Sequence, residues 1–316
     1  MNSVDDIKSV AVIGAGVMGH GIAEVYALNG YPVWMMDVND ELLRRGMGYI
    51  KSELKTLIDN GFTTEEEADK ALKRISTTTS LKEAVEGREF VTEAVTEDLK
   101  LKRRIFSEME SYVSEDAILA SNTSGLMITK IARGLKRPDR VIGTHFSVPP
   151  HIVPGVEIIR GKKTSDLTFK IAYDLIKKVG KVPFVVKKEI DGFLLNRLQL
   201  ALNREAFYLV EKGVATPEDV DICLNSVLGF RWATVGPFRQ IDSAGIDTAA
   251  RVWKYLLPTL ANYKKTPKMI IDKVAKGEYG MKTGKGIYEY PNIEEAYRKR
   301  DDGFLKTLKV MKTIWK

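Results

Sequence analysis

Cysteine and histidine are scarce in this chain, and their scarcity narrows the chemistry available to it. Cys223 is the only cysteine among 316 residues, which excludes an intramolecular disulfide and a metal cluster held by thiolates. Histidine occurs three times, at positions 20, 145 and 151, so a histidine acting as a general base has few candidates. We assign no metal site from the sequence.

Long hydrophobic runs are missing as well. No apolar segment approaches the roughly 20 residues that a helix needs to cross a bilayer. The first residues, Met1-Asn-Ser-Val-Asp-Asp-Ile, have neither the basic start nor the apolar stretch of a secretory signal. We therefore expect a cytoplasmic protein that has no membrane partner.

The charge balance is basic, with 49 Lys and Arg against 42 Asp and Glu and a formal net charge of +7. Such an excess could attract a polyanionic ligand such as a nucleotide or coenzyme A, or it could belong to an ordinary Lys/Glu-rich solvated surface. No run of Arg and Lys with interleaved aromatic residues is present, so we expect no nucleic-acid partner.

A glycine-rich segment near the N-terminus is the most informative motif. A short apolar strand runs into Gly14-Ala-Gly-Val-Met-Gly19, and an apolar helix follows. In a dinucleotide-binding βαβ unit, Gly14 permits the tight turn, Gly16 lets the backbone approach a pyrophosphate, and Gly19 lets the helix pack closely. Val17 and Met18 complete the loop, and the N–H groups at the helix N-terminus are available to phosphates.

Asp37 selects the cofactor. It ends the second apolar run, 18 residues after Gly19, where a carboxylate accepts hydrogen bonds from an adenosine ribose. A simple strand-to-helix turn would not explain this acidic residue. Because residues 38–41 contain no Arg or Lys to bind a 2′-phosphate, the sequence favours NAD over NADP.

Strand-like and helix-like segments alternate over the first 187 residues, which predicts an α/β fold of the Rossmann type, with a mostly parallel sheet covered by helices on both faces. A long charged stretch from residue 39 to about 73 predicts a projecting helical pair with its break at Gly61. The predicted strands are Ser9–Ile13, Pro32–Asp37, Glu89–Ala94, Ala117–Ala120, Arg140–Thr144, Val156–Ile159 and Val182–Val186.

Helical periodicity dominates after Gly192. Thr216-Pro217 predicts the start of one helix, with threonine as the N-cap and proline in the first turn. We therefore predict a Rossmann domain over residues 1–187 and an all-α domain over 188–316 that serves the substrate and dimer formation. The last helix is predicted to carry an apolar face formed by Phe304, Leu308, Met311 and Trp315.

Among the three histidines, His145 is the best candidate for catalysis. It ends a predicted strand, and strand ends in an open α/β sheet form the crevice where ligands bind. Imidazole is well suited to accept the proton of a secondary alcohol during hydride removal. Glu157 begins the next strand and could fold back to orient the ring. The alternatives are a hydrogen-bonded histidine at a strand end and a surface glutamate.

The chain resembles the NAD-dependent L-3-hydroxyacyl-CoA dehydrogenases, including their lambda-crystallin-like and carnitine-dehydrogenase-like relatives. The resemblance extends from residue 8 to about 290. It is carried by the segments 14–23, Glu93-Ala-Val-Thr-Glu-Asp-Leu-Lys-Leu-Lys102, Ser121-Asn-Thr-Ser124, His145-Phe through Val156-Glu157, Gly192-Phe-Leu-Leu-Asn-Arg197 and Gly280-Met-Lys-Thr-Gly-Lys-Gly-Ile-Tyr288.

This resemblance implies a role for each matching residue of the catalytic centre. It identifies His145 as the base and Glu157 as its partner, while Ser124 and Asn196 hold the reacting oxygen of the substrate. Short polar donors of this kind can polarise a carbonyl group. From the residues alone, Ser124 could instead cap the following helix, and Asn196 could make an interdomain hydrogen bond.

Three further positions match the cofactor site of the family. Glu97 and Lys102 correspond to a pair that contacts the cofactor, and Asn122 to a residue beside the nicotinamide. For Asn122 the alternative is again helix capping. The resemblance thus implies NAD as cofactor, a small-molecule substrate, a homodimer and a role in fatty acid metabolism.

Departures from the family pattern leave the substrate open. Val148 replaces an asparagine that the family usually has, and Gly125 replaces a serine. The longer segment Gly229–Phe238 resembles the branch that acts on free hydroxy acids such as carnitine and gulonate. Its Arg231 could bind a free carboxylate, or it could be a surface arginine at a helix end.

Three functions therefore follow from the sequence. The first is the interconversion of a short L-3-hydroxyacyl-CoA, similar to 3-hydroxybutyryl-CoA, and the corresponding 3-ketoacyl-CoA. The second is dehydrogenation of a free 3-hydroxy acid. The third, from another class, is a non-catalytic, crystallin-like protein that binds NAD.

Overall fold

The computed structural model describes residues 1–314. It divides into two compact units, Met1–Asn196 and a second that begins at Arg197. The sequence places the boundary nine residues earlier, between residues 187 and 188.

The first unit is built on an eight-stranded sheet with the order β3-β2-β1-β4-β5-β6-β7-β8. Neighbouring strands are parallel except for β6 and β7, which pair antiparallel. The mostly parallel Rossmann-type sheet is thereby confirmed. The strands are β1 (Val10–Ile13), β2 (Val33–Met36), β3 (Ile75–Thr78), β4 (Phe90–Glu93), β5 (Ile118–Ser121), β6 (Val141–Phe146), β7 (Gly155–Arg160) and β8 (Val182–Val186).

Helices cover both faces of this sheet, so the central strands β1, β4 and β5 are buried on both sides. One hydrophobic cluster packs α1, α2, α3 and α7 against the sheet, and a second packs α4, α5 and α6. The helices are α1 (Gly19–Leu28), α2 (Asp40–Asp59), α3 (Glu65–Lys73), α4 (Leu81–Val85), α5 (Leu99–Tyr112), α6 (Ile128–Ile131) and α7 (Asp166–Lys178), with 3₁₀ turns at Val4–Asp6 and Pro138–Arg140.

All seven predicted strands are present, with ends that shift by at most two residues. The prediction missed β3, an edge strand of sequence Ile-Ser-Thr-Thr. Only Thr78 of this strand is buried, so the segment lacks the apolar run by which the other strands are recognised.

The predicted helical pair is also present, but it does not project, because Leu43, Ile50 and Leu54 of α2 and Ala68 and Ala71 of α3 are buried in the first hydrophobic cluster. Asn39 caps α2 and Thr64 caps α3, where Thr64 and Glu67 form a reciprocal capping box. Gly61 lies between the helices with a φ of +69°, a backbone conformation that glycine adopts without steric cost.

The second unit is helical, apart from two isolated β-bridges around Lys285. As predicted, the side chain of Thr216 caps α9 and Pro217 occupies its first position. The helices are α8 (Leu195–Glu211), which begins in the first unit, α9 (Pro217–Cys223), a π-helical turn (Leu224–Gly229), α10 (Phe230–Trp232), α11 (Pro237–Ala244), α12 (Ile246–Leu256), α13 (Lys268–Ala275) and α14 (Ile293–Ile314), with 3₁₀ turns at Leu257–Thr259 and Met281–Thr283.

The apolar face predicted for the last helix needs one correction. Leu305 is fully buried, whereas Phe304 is 41% exposed. The inward face therefore runs through Leu305 and Leu308, three residues apart, rather than through Phe304. Trp315 lies outside the described residues. Within residues 1–314, no helix has the length and apolarity needed to span a membrane.

Candidate active site

The strand register gathers the polar residues of the first unit at one edge of the sheet. Ile13 pairs with both Met36 and Glu93, Glu93 pairs with Ser121, and Ser121 pairs with Gly143. The carboxyl ends of the central strands are therefore level. Chain order reverses at β1, which lies between β2 and β4, and ligands of open α/β sheets bind outside such a switch point.

The glycine-rich loop at this edge requires glycine for steric reasons. Gly14 has a φ of +105°, and a Cβ atom there would lie 2.7 Å from the carbonyl oxygen of Ala94. A Cβ on Gly19 would lie 1.7 Å from the carbonyl oxygen of Gly14, so the start of α1 can approach the loop this closely only because residue 19 is glycine. Around Gly16 there is open space instead, as expected where a pyrophosphate approaches the backbone.

Asp37 fixes the end of β2 against this loop. Its Oδ2 accepts a hydrogen bond from the backbone N–H of Ala15 at 2.7 Å, and its Oδ1 accepts one from Val38 at 2.7 Å. Each carboxylate oxygen has a second lone pair, so the group can also accept hydrogen bonds from a ribose. Val17 is 69% exposed on the open side of the loop, whereas the side chain of Met18 is partly buried against the hydrophobic core. These residues fit NAD.

A buried ion pair lies at the end of β4. Lys102 Nζ contacts Glu93 Oε1 at 2.6 Å, with both side chains at least 99% buried, and Glu97 Oε2 at 3.3 Å. Glu93 also accepts hydrogen bonds from the Ser121 hydroxyl and the Val95 N–H. The sequence prediction included Glu97 and Lys102 but did not single out Glu93, which could have been recognised as an acidic residue ending an apolar strand.

Glu97 shapes the turn that follows β5. Its Oε1 accepts hydrogen bonds from the Thr123 hydroxyl and from the N–H groups of Ser124 and Gly125. Burial acts to raise the pKa of Glu97, but the Thr123 hydroxyl and the Lys102 ammonium outweigh it and hold the pKa below its usual value. A charged Glu97 thus positions the backbone of Ser124.

Asn122 connects the ends of two neighbouring strands. It is 8% exposed, and its Oδ1 accepts a hydrogen bond from the N–H of Phe146 at 2.8 Å. Its own N–H donates to the carbonyl oxygen of Glu93. The side chain therefore holds the end of β6, including His145, beside the turn at Ser124.

His145 and Glu157 face each other across β6 and β7. They are paired in the strand register, and Nδ1 of His145 lies 2.6 Å from Oε2 of Glu157. The histidine is 5% exposed and the glutamate fully buried. A carboxylate at this distance keeps a proton on Nδ1 and leaves Nε2 as the ring nitrogen that can exchange a proton with a substrate.

A tight turn supplies the remaining hydrogen bonds of Glu157. Its Oε1 accepts from the N–H groups of Leu194 at 3.0 Å and Leu195 at 2.9 Å. These groups are presented by two consecutive residues with positive φ, Gly192 at 78° and Phe193 at 50°. The Phe193 ring is fully buried and lies 6.3 Å from the His145 ring.

Asn196 lies on the first turn of α8 and contacts the same region. Its Nδ2 donates a hydrogen bond of 2.6 Å to the carbonyl oxygen of Ser124. The structure thereby brings Asn196, Ser124 and Glu97 into one network. Arg231 belongs to the second unit, where its Nε donates to the carbonyl oxygen of Val227 one turn earlier.

The glycine-rich loop, the aspartate at the end of β2 and the strand-paired histidine and glutamate are the features of an NAD-dependent dehydrogenase. The family model of the 3-hydroxyacyl-CoA dehydrogenase NAD binding domain matches residues 9–190, and that of the C-terminal domain matches residues 192–290. The chain belongs to the 3-hydroxyacyl-CoA dehydrogenase family and is an oxidoreductase that uses NAD.

Individual relatives differ in the substrates that their names state. A 5-formyl-3-hydroxy-2-methylpyridine 4-carboxylate 5-dehydrogenase of Mesorhizobium japonicum is 36% identical over 284 residues, which are 90% of this chain and 91% of the relative. A probable 3-hydroxybutyryl-CoA dehydrogenase of Bacillus subtilis is 38% identical over 286 residues, 90% of this chain and 98% of the relative.

One solved structure matches almost the whole fold. It is a crystal structure of a 5-formyl-3-hydroxy-2-methylpyridine 4-carboxylic acid 5-dehydrogenase, described as an NAD⁺-dependent dismutase. The TM-score is 0.89 at 32% sequence identity, and the match covers 97% of this chain and 99% of that chain.

Proposed function

We propose that the protein interconverts a short L-3-hydroxyacyl-CoA, similar to 3-hydroxybutyryl-CoA, and the corresponding 3-ketoacyl-CoA. The observation that carries this proposal is the 2.6 Å contact between His145 Nδ1 and Glu157 Oε2 at the carboxyl edge of an NAD-binding sheet. A histidine held in this way is suited to take up the proton of a secondary alcohol.

His145 acts as the base in the oxidation direction. Its Nε2 accepts the proton of the C3 hydroxyl group, and the imidazolium that forms is stabilised by the Glu157 carboxylate on Nδ1. In reduction, the imidazolium returns the proton to the oxygen. Because Glu157 also accepts two backbone hydrogen bonds, its carboxylate is fixed and cannot turn away from the ring.

Ser124 and Asn196 hold the reacting oxygen beside His145. The Ser124 hydroxyl and the remaining amide hydrogen of Asn196 are the donors that this proposal assigns to the carbonyl form. The 2.6 Å hydrogen bond from Asn196 to the Ser124 carbonyl supports the assignment, since it holds the Asn196 side chain beside the backbone of Ser124.

The cofactor is held by three sets of residues. The loop from Gly14 to Gly19 receives the pyrophosphate and Asp37 the ribose, while Glu97 and Asn122 line the nicotinamide side and Lys102 lies behind Glu97. Bound NAD supplies the acceptor for the hydride. Lys102 is occupied by Glu93 and Glu97 in the structure, so we assign it an indirect role in which it holds Glu97 in place.

A second candidate is a dehydrogenase of a free carboxylic acid. The structural match with a TM-score of 0.89 to an enzyme named for a pyridine carboxylate favours it. Under this alternative, Arg231 binds the carboxylate through paired hydrogen bonds.

A substrate comparison decides between the two. We expect NADH formation with 3-hydroxybutyryl-CoA, and little with 3-hydroxybutyrate, carnitine or gulonate. An inert CoA ester together with turnover of a free acid would overturn the first proposal. For a free acid, Arg231→Ala should raise KM, whereas Arg239→Ala, an exposed arginine of the same unit, should leave KM unchanged.

We also propose that the protein is a homodimer formed through its helical unit. Among the described residues of this unit, Ala261 and Leu305 are the buried hydrophobic side chains, while Phe230 is 75% exposed and Phe238 85% exposed. Helices with so much uncovered apolar surface are typical of an interface. Analytical ultracentrifugation should show a dimer, and a monomer at micromolar concentration would overturn this proposal.

A further inference from the structure

A second cluster of titratable side chains lies in the first unit, apart from His145 and Glu157. It consists of Glu24 on α1, Glu53 on α2 and His151 in the loop between β6 and β7. One ligand atom from each of the three lies within 4.8 Å of the others. Nothing in the proposed reaction uses these residues.

Glu24 is the unusual member of this cluster. It is fully buried on α1, one turn after the buried His20, and neither of its carboxylate oxygens has a hydrogen-bond partner among the described residues. A buried carboxylate in this position needs a proton or a cation.

Glu53 is held between two imidazoles. Its Oε1 lies 2.9 Å from Nε2 of His20, and its Oε2 lies 3.4 Å from Nδ1 of His151. The two imidazoles lie at different oxygens of the Glu53 carboxylate, and a Glu53 oxygen lies within 4.8 Å of a Glu24 carboxylate oxygen.

His20 orients Glu53 from outside the cluster. Its Nδ1 lies 2.6 Å from the carbonyl oxygen of Gly16, and its Nε2 lies 2.9 Å from Glu53 Oε1. The ring therefore lies between the glycine-rich loop and the Glu53 carboxylate. Imidazole–carboxylate contacts of this kind commonly fix the carboxylate of a metal site.

The loop between β6 and β7 packs closely against α1, and this contact brings His151 near Glu24. A Cβ atom at Gly21 would lie 2.6 Å from Cγ of Pro150 and 3.5 Å from Nδ1 of His151. Glycine at this position therefore lets the loop approach the helix that carries Glu24. The side chain of Glu53 is 21% exposed, against 2% for His151, so the surface at Glu53 gives access to the buried atoms.

We propose that Glu24, Glu53 and His151 bind one divalent transition-metal ion, with zinc as the first choice. Two carboxylate oxygens and one imidazole nitrogen are a donor set that zinc accepts, and the imidazole disfavours magnesium and calcium. The charge of the ion balances both carboxylates. This site departs from the sequence analysis, which assigns no metal. Its role is structural, since it joins α1 and α2 to the loop that follows His145.

Direct zinc binding tests the proposal without reference to the enzyme's activity. The full chain, stripped with a chelator and dialysed, is titrated with zinc chloride against a chromophoric competitor. We expect one equivalent of zinc per chain. Glu24→Gln, which keeps the shape and removes the charge, should weaken binding by roughly 100-fold, since loss of a ligand should cost at least as much as loss of a supporting contact.

Matched controls make the result decisive. Glu66→Gln removes an exposed carboxylate and should leave the zinc affinity unchanged. His151→Gln should weaken binding as Glu24→Gln does, and it serves as the test if the Glu24 variant does not fold. Cobalt(II) bound to the unmodified protein should give a visible absorption band that both variants lose.

Two results would overturn the proposal. One is the absence of stoichiometric zinc binding, which would mean that a proton shared by Glu24 and Glu53 satisfies the cluster. The other is equal zinc affinity in the Glu24 and Glu66 variants, which would place the zinc elsewhere. Neither result bears on the dehydrogenase activity.

Discussion

His145 and Glu157 are direct partners in the antiparallel pairing of β6 with β7, and Nδ1 of the histidine lies 2.6 Å from Oε2 of the glutamate. The reversed direction of β7 produces this contact. In a parallel neighbour, the residue opposite a strand's carboxyl end would lie beyond a long crossover, whereas here twelve residues separate the pair.

Replacement of His145 by Gln should remove the proton acceptor without removing the cofactor site. We expect kcat to fall by about 10²- to 10⁴-fold, the usual contribution of general base catalysis. NADH binding, followed by fluorescence titration, should be nearly unchanged, because the residues assigned to the cofactor are intact. Near-normal turnover would contradict the assignment of His145.

Glu157→Gln tests the orienting carboxylate. A Gln side chain keeps the size of Glu157 but has no charge to stabilise the imidazolium, so kcat should fall by about 10²-fold or more. The pH profile of kcat should change together with its magnitude. A variant that loses only stability, with a kcat per folded molecule like that of the unmodified protein, would show that Glu157 is merely structural.

Asp37→Ala should weaken the affinity for NAD. A hydrogen bond to a charged group contributes about 1.5–3 kcal/mol, which corresponds to a rise of about 10- to 150-fold in the KM for NAD. The preference for NAD over NADP should also decrease, since the carboxylate that repels a 2′-phosphate is gone. Asp40→Ala, three residues further on at the exposed start of α2, is the matched control and should bind NAD normally.

Lys102→Met should destabilise the first unit strongly. The change leaves Glu93 as an unpaired buried carboxylate, a loss of about 3–5 kcal/mol in the free energy of unfolding. Lys70→Met, which breaks an exposed pair with Glu66, should change the unfolding midpoint far less.

The double variant Lys102→Met, Glu93→Gln separates charge from packing. It removes both ions and should recover part of the lost stability in denaturant titrations without cofactor. If the double variant is no more stable than Lys102→Met alone, the loss is due to packing rather than to an unpaired charge.

Local patterns explain which parts of the fold the sequence reveals. The glycine-rich loop and Asp37 are readable because their spacing within one βαβ unit is set by the turn and the helix between them. β3 escapes because an edge strand with one buried residue has no apolar run. It forms by pairing with β2, and no local sequence pattern indicates that pairing.

The cluster of Glu24, Glu53 and His151 cannot be predicted from sequence patterns, because it is formed by contacts between distant segments. Glu53 lies on a helix with an ordinary charged surface, and only the folded chain brings it to His20 and to His151. Glu24 could have been noticed as the one acidic residue in an apolar helix. Its partners, however, are 29 and 127 residues away along the chain.

The hydrogen bonds from Leu194 and Leu195 to Glu157 make the Rossmann domain depend on the turn that follows β8. A chain truncated at residue 187, the boundary that sequence periodicity favours, would lose both donors and the ring of Phe193. Glu157 would then keep only its histidine contact, with Oε1 unpaired. The pair that we propose for catalysis therefore has all its hydrogen bonds only when the turn after β8 is present, and a nucleotide-binding fragment that ends at residue 187 does not contain that turn.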